Sequence, residues 1–81
     1  MNATQITDIA ADTSDPRAGL RAIASLRALI ERLELAQVEA GLRAGMSWQN
    51  IAEVLGVSRQ AVHKKYAKRI DPTIPVPRRQ R

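Results

Sequence analysis

Few side chains in this sequence can do covalent chemistry. There is one His, His63, and no Cys. Without an acidic cluster to join it, His63 cannot complete a metal site of four protein ligands, and as a general base it lacks partners. Ser47 and Ser58 each stand where a helix begins, which makes them caps rather than nucleophiles. No metal, no cofactor and no catalysis are expected. What the chain does carry is a block of cations. Arg59, Lys64, Lys65, Lys68 and Arg69 fall within residues 58–70, where there is no Asp or Glu, while residues 1–16 hold Asp8, Asp12 and Asp15. Solvated surface helices usually interleave Glu with their Lys and Arg. Cations without acids are instead the electrostatic footprint of a site for a polyanion.

The elements that must position this block follow from composition and spacing. Eighty-one residues allow one small domain, and a hydrophobic content of 44% excludes wholesale disorder. Trp48 and Tyr66 are the only aromatic residues, so the core is Leu, Ile, Val and Ala. A core this small usually needs a staple or a partner. No apolar run is long enough to span a membrane and no signal-like start is present, which points to the cytoplasm, as does the lack of Cys.

Residues 1–15 read as a flexible acidic leader. Asp15-Pro16 marks a helix start, and one long helix is expected over residues 16–44, about 42 Å if unbroken. It carries two apolar rows turned around the axis from each other: Ile23, Leu26, Ile30 and Leu33, then Leu35, Val38 and Leu42. Gly45 ends it. Ser47 caps a second helix, Trp48 to Leu55, closed by Gly56. Ser58 caps a third, Arg59 to Arg69. From Asp71-Pro72 onward a Pro- and Arg-rich tail, residues 71–81, is expected to be extended. The fold class is all-α: a long N-terminal helix, a helix-turn-helix pair, and extended termini.

Within residues 45–70 the spacing carries more information. Ile51 and Leu55 are expected to point into the core, Ala52 to sit at a close helix crossing, Gly56 to take the left-handed turn, Val57 to plug it, and Val62 with Tyr66 to anchor the last helix. A small residue, Gly four positions on, an aliphatic, Ser and a second aliphatic is helix-turn-helix spacing. A helical hairpin can use the same Gly-aliphatic-Ser turn, and the acid-free basic helix behind it is what separates the two. The stretch LGVSRQAVHKKY, Leu55 to Tyr66, resembles the helix-turn-helix of sigma-factor region 4, of the serine-recombinase C-terminal domain and of small actinobacterial sigma-like proteins. The resemblance covers about residues 40–70. It implies that the helix after the turn lies in the DNA major groove. Lys65 departs from the pattern, at a position commonly apolar.

With Val62 and Tyr66 inward, the outward face holds Gln60, Lys64 and Ala67, flanked by Ala61, His63 and Lys68. Gln60 suits adenine, Arg59 or Lys64 suit guanine, and Ala61 suits a thymine methyl. Lys65, Arg69, Ser47 and Gln49 suit phosphates. Arg78, Arg79 and Arg81 are candidates for a minor-groove or backbone arm, with a solubilising end as the plain alternative.

The leading expectation is a DNA-binding regulator of transcription, a plasmid or phage regulator, or a nucleoid protein. A module binding RNA polymerase or another regulator through the long helix is the alternative. The DNA-binding remnant of a recombinase or transposase is a third. Leu20, Ile23, Leu26, Leu29, Ile30 and Leu33 form an apolar surface that two short helices cannot cover, so a homodimer through the long helix is expected, with half-sites about 34 Å apart or a multiple of that; the rival is a monomer whose helix breaks near Gly41 or earlier and folds back on that face.

Overall fold

A computed structural model describes residues 2–76. The protein is all-α. Its four helices are α1 (Ala3–Ala11), α2 (Pro16–Arg43), α3 (Trp48–Leu55) and α4 (Arg59–Tyr66), with no strand among the described residues. The chain divides into two compact units, residues 1–33 and 34–81.

In the first unit the expected leader is a helix instead. Asn2 accepts from the Gln5 backbone N–H at 2.8 Å, and the Gln5 side chain accepts from Asn2 N–H at 3.0 Å. This reciprocal cap satisfies two otherwise unpaired donors and offsets the poor periodicity of the segment. Asp12 then accepts from the backbone and hydroxyl of Ser14, at 2.9 and 2.6 Å, forming a tight turn. Asp15 caps α2 as its position suggests, accepting from Ala18 N–H at 3.2 Å. Gly19 is buried because α1 comes close: a Cβ there would lie 3.5–3.8 Å from the carbonyls of Asp12, Ile9 and Ala10. Ala22 is buried too, while Leu20, Ile30 and Leu33 are exposed. Helix α2 runs without a break through Gly41 to Arg43.

The second unit has a single core of Val38, Leu42, Trp48, Ile51, Ala52, Val62, Tyr66 and Ile74. Two similar corners fold it. At the end of α2, Gly45 adopts φ +92°, Gly45 N–H donates to Leu42 O at 3.0 Å and Met46 N–H to Gly41 O at 2.9 Å. At the end of α3, Gly56 adopts φ +72°, its N–H donates to Glu53 O at 3.3 Å, and Val57 N–H to Ala52 O at 3.1 Å. Both are left-handed glycine closures that consume the last helical carbonyls.

The tail departs from expectation at its beginning. Residues 71–74 are a turn. Asp71 accepts from the Thr73 N–H and hydroxyl, at 2.9 and 2.8 Å, which hold its carboxyl below the usual carboxylate range. Ile74 N–H donates to Asp71 O at 3.0 Å, and the Ile74 side chain is buried in the core. Prolines at 72 and 75 suggest extension; an apolar side chain between them and an Asp that nucleates a turn outweigh it. Arg78, Arg79 and Arg81 lie outside the described residues.

Candidate nucleic-acid interface

The basic helix is mounted by caps at both of its approaches. Ser47 Oγ accepts from Asn50 N–H at 3.1 Å, and Asn50 Oδ1 accepts from Ser47 N–H at 3.1 Å. Ser58 Oγ accepts from Ala61 N–H at 3.0 Å. Both serines act as caps, each satisfying a donor that the helix start leaves unpaired. Gln49 is exposed and its amide donates to Glu53 Oε1 at 3.2 Å, a helical i, i+4 pair.

On α4, Val62 and Tyr66 are buried, and Gln60, Ala61, His63 and Lys64 are exposed; Arg59 is half-buried. That is the inward and outward split expected from 100° per residue. Ala67 does not belong to the outward face: it packs against the core. The helix also ends at Tyr66, so Lys68 and Arg69 stand in the turn that follows, exposed but off the helical face. Arg69 N–H and Ile70 N–H both bond to the Tyr66 carbonyl, at 2.8 and 3.1 Å, which tightens the chain there. The His63 ring stands edge-on to the buried Trp48 ring, with centroids 5.2 Å apart and planes at 80°. Trp48 is thus a core side chain whose ring also contacts a group on the outward face.

Lys65 is placed differently from expectation. Its Nζ lies 3.8 Å from Glu34 Oε1 and 5.3 Å from the centre of the Tyr66 ring, so it has partners within the chain while its side chain stays 43% exposed. The departure from an apolar residue at this position is met by the ammonium standing over the ring beside Glu34. Glu34 also accepts from the Tyr66 hydroxyl at 2.5 Å. Burial, and then this bond, push the Tyr66 pKa above its ordinary value near 10. Motif spacing gives no sign of Glu34, since it lies 32 residues before its partner; the only clue is an acid one turn before the core residue Val38.

Leu55 and Val57 are not core plugs. They are 39% and 48% exposed and line a depression of about 200 Å³ with Ala61, Val62 and Lys65. The second unit carries nine Lys and Arg against four acids, the first unit four of each. All four acids of the second unit are engaged: Glu34 with Tyr66 and Lys65, Glu39 with Asp71 N–H, Glu53 with Gln49, and Asp71 with Thr73 and Arg43. The exposed positions of α4 are left with cations, a Gln and a His. No group of three potential metal ligands occurs among the described residues, and no helix there is long and apolar enough to cross a membrane. Comparison with protein-family models, curated proteins and solved structures finds no match to the chain.

One prediction follows from Tyr66. Its raised pKa means the folded state holds the phenolic proton more tightly than the unfolded chain does. This contribution is complete below about pH 10 and is lost as pH rises through the folded value. Tyr66→Phe should cost about 1.5 kcal/mol at neutral pH, for a hydrogen bond to a charged acceptor. In urea titrations the wild type should then lose stability more steeply than the variant above pH 10. Parallel curves would show that the hydroxyl does not couple to folding.

Proposed function

We propose that this chain binds double-stranded DNA, with α3 and α4 acting as a helix-turn-helix and α4 entering the major groove. The observation that carries the reading is a firmly capped helix whose exposed face holds Gln60, Ala61, His63 and Lys64 inside a stretch, residues 54–70, with five cations and no acid. Gln60 matches the donor and acceptor edge of adenine, and Arg59 or Lys64 the two acceptors of guanine. Ala61 permits close approach, and His63, supported by Trp48, faces the same way. Lys68 and Arg69 serve the phosphates, and Lys65 serves the fold. The chain carries out no catalysis in this reading; it is a regulator of transcription or of plasmid or phage genes, or a nucleoid protein, working in the cytoplasm.

Fluorescence anisotropy on random and selected duplexes tests this. Log affinity should fall with log salt at about −0.9 per neutralised phosphate. Gln60→Ala or Lys64→Ala should each cost about 1–3 kcal/mol on the selected duplex and little on random DNA. Equal losses on both would reduce the two side chains to phosphate contacts. Salt-independent or absent binding would sink the reading and leave the protein-interaction alternative, in which RNA polymerase or another regulator is the partner.

A further inference from the structure

Six large aliphatic residues of α2 are partly or largely open to solvent. Leu20, Ile30 and Leu33 are 65%, 54% and 57% exposed, and Ile23, Leu26 and Leu29 are half-buried. Helix α1 lies against Gly19, and Ile6 and Ile9 line a depression with Ala18 and Ala22, none of which belongs to this set of six. Ile23, Leu26, Ile30 and Leu33 follow one another at steps of three, four and three. This is a heptad seam two repeats long, the spacing that faces another helix rather than water.

We infer that this seam is the interface of a homodimer, closed by an antiparallel α2 from a second copy. The seam is self-complementary about a two-fold axis near residue 28. Ile23 then meets Leu33 of the second copy, and Leu26 meets its Ile30; the relation reverses across the axis, so four apolar layers form with no gap. A two-fold contact requires this reciprocity, and an unrelated partner would not need it. Charge favours the same occupant. The unit that carries the seam has Arg17, Arg21, Arg27 and Arg32 against Asp8, Asp12, Asp15 and Glu31, so two copies meet without net repulsion. The other unit holds the whole formal charge of +5.

Sedimentation equilibrium of the full chain, without DNA, tests the proposal independently of nucleic-acid binding. At about 1–100 µM the mass should rise from 8.9 kDa toward twice that value. A single 8.9 kDa species throughout, with its helicity intact, overturns it. Ile30→Glu and Leu33→Glu alter side chains already exposed in one copy, so each variant should keep its circular dichroism while dimerisation weakens at least about tenfold, because a charge would be buried in the seam. Unchanged association in both would place the contact elsewhere. The chain has no Cys, so introduced thiols report orientation cleanly. An oxidised mixture of Leu26→Cys and Ile30→Cys chains should cross-link as a heterodimer faster than Ile30→Cys alone. The reverse order would refute the antiparallel arrangement.

Discussion

Tyr66→Ala should unfold most of the second unit. The side chain is fully buried at the meeting of α2 and α4, packed in the cluster of Val38, Leu42 and Val62, and its hydroxyl holds Glu34. Removing a buried aromatic ring costs about 3–5 kcal/mol, a large share of the roughly 5–15 kcal/mol that holds a typical domain together. Lys65 would lose the ring that its ammonium stands over, and Glu34 the hydroxyl that donates to it. Urea titration followed by Trp48 fluorescence reports the same core. Val57→Ala is the control: at 48% exposure it should shift stability by no more than about 0.5 kcal/mol. If Val57→Ala proved as damaging as Tyr66→Ala, the turn would be packed as its aliphatic character suggests, and the position of Val57 described above would be wrong.

The second large effect lies in the backbone. Gly56 has φ +72°, and a Cβ built on it meets nothing within 4 Å. Any penalty at this position is therefore conformational and not steric crowding by neighbours. Gly56→Val should cost about 2–3 kcal/mol, since a β-branched residue strongly disfavours the left-handed region. Gly56→Asn, which tolerates that region, should cost far less. Thermal melts of the two variants decide the matter. Equal losses would point to a contact and away from φ. Under the proposed DNA-binding reading, the Val variant should also lose sequence preference, because the turn sets the angle at which α4 leaves α3.

Much of this architecture is legible in the residues because its signals are local. Asp15-Pro16, Gly45, Ser47, Gly56 and Ser58 each act within four or five positions, and each bounds a helix where its type suggests. The inward pair Val62 and Tyr66 and the outward Gln60, Ala61, His63 and Lys64 follow from helical period alone. What is not legible depends on partners distant in the chain. Lys65 reads as a free cation until Glu34 is brought beside it, and Leu55 reads as core until the depth of the α3 corner is known. Ile74 reads as part of an extended tail because Pro72 and Pro75 flank it, yet the burial of one aliphatic side chain decides the path. The opening helix was hidden for another reason: it is short, held by the Asn2–Gln5 cap, and its half-buried stripe is only Ile6, Ile9 and Ala10.

The place of Ile74 has a consequence for how the protein is made. The core of the second unit spans Val38 to Ile74, and Glu39 reaches across 32 residues to the backbone of Asp71. At a synthesis rate of about 5–20 residues per second, Leu42 is joined to the growing chain about 2–6 s before Ile74 is. During that interval the core is built up in chain order, and Ile74 is the last of its eight side chains to be joined. Affinity tags and fluorescent fusions should accordingly be joined beyond Val76, and a truncation that removes Pro72 onward tests the stability of the core before it tests any arm.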